Sequence, residues 1–155
     1  RQMSSNSLGK PDLVLGPLSL WVHSYQFATA AYDSDANWLF ATARCDADGA
    51  TVRATGAILM TSDLDRFREQ CETLYKSLQG EAALDPLEPE LRVTLRYFDK
   101  AGHLEGKVQI TPDHLSQRHE FDFGLDQSYL PSIVAACGGI LQRFPIREVE
   151  GVRGA

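Results

Sequence analysis

Hydrophobic and polar residues alternate along six segments of the chain, which is the pattern of half-buried β-strands. The clearest segment runs from Leu91 to Phe98, with Leu, Val, Leu and Tyr at every second position. The other predicted strands are 18–25, 37–45, 51–60, 104–110 and 119–125. Turn sequences at Asp46–Gly49 and Asp99–Gly102 join two pairs of these strands into hairpins.

Two further segments have apolar residues at steps of three and four, which predicts amphipathic helices. The first runs from Leu64 to Leu78, with Thr61 or Ser62 as the expected N-cap and Gly80 just beyond its end. The second runs from Leu130 to Leu141, and Pro145 ends it.

The order of strands, helix, strands and helix predicts an α+β fold in which a mainly antiparallel sheet of about six strands packs with two α-helices. No internal repeat or break in composition divides the chain. We expect one α+β domain over 10–147, preceded at 1–9 by a remnant before Met3 and a disordered leader, and followed at 148–155 by a flexible tail.

Composition narrows the classes of function. The 155 residues are 43% hydrophobic and 23% charged, as in ordinary globular domains. The net charge is −6 and no run of Lys or Arg could neutralise a row of phosphates, so we expect no direct contact with nucleic acid. Cys45, Cys71 and Cys137 form no CxxC pair and are expected to be free thiols in the cytoplasm, and no apolar stretch predicts a membrane span.

The sequence contains no motif typical of catalysis, of a phosphate-binding loop or of a bound cofactor. His114 and His119 stand near Asp113 and Glu120, but a spacing of five aligns two ligands neither on a helix face nor on a strand face. We therefore expect no metal, no cofactor and no catalytic residue, and we interpret the protein as a binding protein.

The sequence alone also permits two alternative interpretations. One is a small-molecule-binding protein or enzyme that uses polar residues of a sheet face, namely Arg92, Arg96, His114 and His119. The other is a self-associating structural module.

Several short motifs occur in a fixed order from about Leu18 to Pro145. They are Tyr32-Asp33, Asp35-Ala36-Asn37-Trp38-Leu39, Leu59-Met60-Thr61-Ser62-Asp63-Leu64, Leu87-Glu88-Pro89-Glu90-Leu91 and Arg143-Phe144-Pro145. In this order the chain resembles the WapI-type immunity proteins of bacterial contact-dependent, or polymorphic, toxin systems. It departs from their pattern where Ser34-Asp35 lengthens one link and where Gln70-Cys71 replaces a common Trp-Leu pair.

The resemblance implies a cytoplasmic protein that binds and neutralises the toxic domain of a cognate toxin, in related systems often a nuclease. For the contact surface we predict the loop containing Tyr32, Asp33 and Asp35 together with the acidic face of the first long helix, because acidic side chains suit a basic partner. That face carries Asp63, Asp65, Glu69 and Glu72. The motif residues expected to have structural roles are Asn37, Trp38, Leu39, Glu88 and Pro89.

Overall fold

The computed structural model describes residues 8–149, which form two four-stranded antiparallel sheets and three helices. The first sheet contains, in spatial order, β1 (Leu13–Leu15), β2 (Leu18–Tyr25), β3 (Trp38–Ala47) and β4 (Ala50–Met60). The second contains β5 (Glu81–Leu84), β6 (Leu91–Tyr97), β7 (His103–Ile110) and β8 (Glu120–Asp126). The helices are α1 (Asp33–Ala36), α2 (Thr61–Ser77) and α3 (Leu130–Arg143), and a 3-10 turn at Gln127–Tyr129 leads into α3.

This architecture confirms the predicted α+β class, with a difference in the strands. The strands number eight in two sheets, whereas the sequence indicates about six in one sheet. The two additional strands, β1 and β5, have three and four residues, and alternation cannot be recognised over so short a stretch. Both lie at sheet edges and are defined by their partners, Leu13 opposite Leu20 and Ala82 opposite Leu95.

The core lies between the inner faces of the two sheets and the apolar sides of α2 and α3. Alternate residues of β2, β3, β6 and β7 are almost completely buried, as the alternation in the sequence predicts. The α2 residues Leu64, Phe67, Cys71 and Leu74 form its buried stripe and have at most 1% of their surface exposed. The two long helices also pack against each other, so they cover one core together with the sheets.

Phe123 of β8 lies at the junction of the two sheets. Its ring occupies the space over Gly106, the residue opposite it on β7, where an added Cβ would lie 2.2 Å from the ring. The same ring contacts the turn between β1 and β2, because a Cβ on Gly16 would lie 2.3 Å from it. Gly16 also has a φ of +56°, which favours glycine. Two glycines thus make room for one aromatic ring between the sheets.

The ends of α2 differ from the prediction. Met60, not Thr61 or Ser62, is the N-cap, and its backbone N–H donates to the Asp63 carboxylate at 2.7 Å. Thr61 is the first residue of the helix, and its hydroxyl donates to the side chain of Asn37 at 2.8 Å. At the other end the left-handed residue is Leu78, with a φ of 57°, two positions before Gly80.

The chain on either side of this fold is only partly described. Gly9, which we predict to lie in the leader, accepts a hydrogen bond from the Trp21 indole at 3.0 Å, and residues 1–7 lie outside the described range. In the predicted tail, the Val149 backbone N–H donates to the Asp33 carboxylate, and residues 150–155 lie outside the described range. Within 8–149, no helix combines the length and apolarity needed to cross a membrane.

Candidate protein-binding surface

Arginine side chains lie among the acidic residues of α2. The Arg68 guanidinium lies 2.7 Å from the Asp65 carboxylate and 3.9 Å from those of Glu69 and Glu72. The pairs with Asp65 and Glu72, at i, i+3 and i, i+4, follow from the helical repeat and contribute little when they are exposed. Glu69 is the most exposed of the three acidic partners, with 66% of its side chain accessible. The helix therefore has a mixed-charge surface in place of a continuous acidic one.

Asp63, the fourth predicted acidic contact, is only 7% exposed. Its carboxylate accepts the Met60 N–H and lies 4.0 Å from the guanidinium of Arg66. Burial raises the pKa of Asp63 above its usual value, although the Met60 N–H and Arg66 act in the opposite direction. These contacts indicate that Asp63 stabilises the N-terminus of α2.

An Asp63→Asn variant is expected to reveal this burial as a pH dependence. The amide oxygen of Asn still accepts the Met60 N–H, but it has no charge to desolvate. Because the raised pKa favours the protonated acid in the folded state, the contribution of Asp63 is full below its unfolded pKa, about 3.8, and is lost as pH rises through the folded pKa. The free energy of unfolding of the wild type, minus that of the variant, should therefore fall as pH rises above about 3.8 in urea titrations. A difference that rises with pH would contradict the burial argument.

The loop that contains Tyr32 connects β2 to α1. The Tyr32 side chain is 51% exposed, and Asp35 is exposed as well. Asp33 is half-buried, since its carboxylate accepts the Val149 N–H. The structure thus places the three predicted loop residues close together, beside the chain that follows α3.

Asn37 fixes this loop through hydrogen bonds of its buried side chain. It is 7% exposed, and its amide nitrogen donates to the carbonyl oxygens of Asp33 and Arg147, both at 2.8 Å. Its amide oxygen accepts from the Thr61 hydroxyl and from the Arg147 N–H, again at 2.8 Å. All four hydrogen-bonding positions of this side chain are filled, so Asn37 ties together α1, the start of α2 and the segment after α3.

Arg147 makes a second connection, which the sequence did not reveal. Its guanidinium donates to the carbonyl oxygens of Phe27, Ala28 and Ala36, and it lies 3.7 Å from the ring centroid of Tyr25. Arg147 stands outside any periodic pattern, two residues after Pro145. The closing Arg-Phe-Pro motif was the one signal that this stretch has a defined structure.

The other motif residues lie at the start of β3 and in the loop before β6. Trp38 and Leu39 begin β3, where Trp38 is half-buried and Leu39 is fully buried. The Trp38 carbonyl accepts the Gln26 N–H at 2.8 Å, which fixes one end of the loop that contains Tyr32. Glu88 and Pro89 are exposed in the loop before β6.

The four residues of the alternative small-molecule site are divided between two open clefts of the second sheet. His114 and His119 line a cleft of about 430 Å³ at one end of the sheet, with Gln117 and Arg118. Arg92 and Arg96 line another, of about 240 Å³, on the outer face. There Arg92 pairs with Asp85 at 3.1 Å and Arg96 with Glu105 at 3.2 Å, so these arginines are engaged in cross-strand and loop ion pairs.

The three cysteines are free and buried. Burial raises the pKa of Cys45 to about 11 and the pKa values of Cys71 and Cys137 to about 12. At neutral pH they are therefore thiols, not the thiolates that act as nucleophiles or metal ligands. Over residues 8–149, no group of three or more His, Cys, Asp or Glu side chains is arranged to hold a metal ion.

Comparison with known proteins identifies the family. No curated protein sequence matches the chain significantly. Among solved structures, the crystal structure of WHY1 from Arabidopsis thaliana is similar over 80% of this chain and 81% of that chain, with 11% sequence identity and a TM-score of 0.43. The model of the immunity protein WapI-like family matches residues 14–145, from β1 to the residue that follows Phe144. The chain belongs to the WapI-like immunity protein family.

Proposed function

We propose that this protein is a non-catalytic, cytoplasmic immunity protein that binds the toxic domain of a cognate toxin and blocks its activity. The observation that carries this proposal is the family match over residues 14–145, which spans both sheets and both long helices. The match thus covers most of the described fold, and the segment 146–149 follows it.

Two properties of the molecule support a role in binding. Its buried cysteines stay protonated at neutral pH, so they do not supply a nucleophile. Its net charge of −6 favours encounter with a basic partner, such as a toxin domain that itself acts on a polyanion. We propose a basic nuclease domain as the partner.

We propose that a neighbouring gene encodes the toxin, and the C-terminal domain of that toxin is the partner for the test. We expect that domain to arrest growth when it is expressed alone, and growth to return when this protein is expressed with it. The two purified proteins should form a one-to-one complex in size-exclusion chromatography with light scattering. An unrelated toxin domain serves as the specificity control, and its toxicity should be unchanged.

Continued toxicity in the presence of soluble, folded immunity protein, with no complex formed, would refute the proposal. Growth recovery without a complex would also refute it, because a non-catalytic inhibitor acts only while it is bound.

A further inference from the structure

We propose that the toxin docks on one defined surface, the loop surface, formed by residues 26–36 and by the segment 144–149 that is folded against them. This inference rests on the proposed function and assigns its contact site. It differs from the site expected from the sequence, which included the acidic face of α2. The reasons are the burial of Asp63 and the apolar side chains that the loop surface exposes beside its acidic residues.

The loop surface exposes large apolar side chains on an ordered framework. Phe27 is 43% exposed, and Tyr32 and Ile146 are each 51% exposed. Exposed aromatic and aliphatic side chains that are held in place act as anchors in protein interfaces, because burying them removes apolar area from water at a small loss of conformational entropy. The exposed side of α2 offers Tyr75 and Leu78, and both lie at its C-terminal end, away from its acidic residues.

The two segments of the loop surface form one unit because the contacts between them are specific. Arg147 donates to the backbone of Phe27 and Ala36. The Asn37 amide donates to the carbonyl oxygens of Asp33 and Arg147 and accepts from the Arg147 N–H, each at 2.8 Å. The Tyr25 ring lies under the Arg147 guanidinium and meets the Phe144 ring edge to face, with centroids 5.5 Å apart. A loop fixed in this way does not need to be ordered on binding, which favours affinity.

The charge of the loop surface selects a basic partner. Asp33 and Asp35 carry two negative charges, against the one positive charge of Arg147, whose guanidinium donates to carbonyl oxygens. On α2, Asp65, Glu69 and Glu72 share the one guanidinium of Arg68, so that face is acidic as well but lacks apolar side chains beside its acidic residues. The loop surface therefore combines apolar anchors with acidic residues and suits the basic, substrate-binding surface of a toxin domain.

The test measures binding of the adjacent toxin domain by variants of each surface. Tyr32→Ala and Asp35→Lys alter the loop surface, and Glu69→Lys makes the same change of charge as Asp35→Lys on the exposed face of α2. All three side chains are exposed, so circular dichroism and melting temperature should match those of the wild type. We expect Tyr32→Ala and Asp35→Lys each to weaken binding at least about tenfold, and Glu69→Lys to change it less than about threefold.

Salt dependence gives a second readout. If Asp35 meets a basic residue of the toxin, the wild type should bind more weakly as salt rises, and an Asp35→Asn variant should show a smaller slope. The inference would be overturned if the wild type and both loop variants bind the toxin domain and Glu69→Lys does not. The proposed function would remain intact in that case. Failure of the wild type to bind or neutralise the toxin would overturn the proposed function, and with it this inference.

Discussion

A Gly106→Ala variant is expected to lose about 1–3 kcal/mol of unfolding free energy, the usual range for adding a methyl group to a packed site. The new Cβ would lie 2.2 Å from the Phe123 ring, so the ring must move. It cannot shift freely, because its other side contacts Gly16 in the turn of the first sheet. The variant should therefore unfold at a lower urea concentration, with the slope of the transition unchanged.

A double-mutant cycle with Phe123→Ala distinguishes this clash from an effect of alanine on the strand. Without the ring, the methyl group at residue 106 has room, and alanine fits the strand interior better than glycine does. Gly106→Ala should thus lower the free energy of unfolding much less in the Phe123→Ala background than in the wild type. Equal costs in both backgrounds would show that the ring is not the cause.

Replacing Asn37 with alanine is expected to destabilise the protein by a similar amount and to release the Arg147 backbone N–H from its hydrogen bond. The change removes four hydrogen bonds at once, and partners left buried without a bond cost about 1–3 kcal/mol. The Arg147 backbone N–H, which donates to the Asn37 amide oxygen, should then exchange with solvent much faster. Hydrogen exchange followed at that amide measures this release directly.

Thr61→Val is the matched control for the Asn37 variant. It preserves the shape of a buried side chain and removes only the hydroxyl that donates to Asn37. The Arg147 N–H keeps its bond to Asn37 in this variant, so its exchange should stay slow. If Asn37→Ala leaves exchange at Arg147 unchanged, the two bonds between Asn37 and the Arg147 backbone do not hold that residue in place.

The long elements were readable from the sequence because each carries its own period. Alternation over Leu91–Tyr97 and the stripe from Leu64 to Leu74 reflect burial on one side, and these segments form β6 and the buried face of α2. The short edge strands β1 and β5 and the division into two sheets could not be predicted from the sequence. Strands of three and four residues have no recognisable period, and they form because a longer neighbour offers its backbone groups.

The candidate surface was predictable only in part. A contact residue needs an exposed side chain. Tyr32 and Asp35 are exposed beside Asp33, but Asp63 is buried. Charge counted along a helix does not show which acid caps the N-terminus or which arginine pairs with the others. Those assignments depend on side-chain positions in three dimensions.

By itself, the sequence determined the α+β class, the main strands and helices and, through motifs in a fixed order, the family. These features are local or collinear, so they can be read along the chain. The tertiary structure alone decided that Asn37 and Arg147 join residues 26–37 to the chain beyond α3, over separations of about 110 to 120 residues. Contacts between such distant residues leave no period in the sequence, because they depend on where the whole fold brings the two segments together.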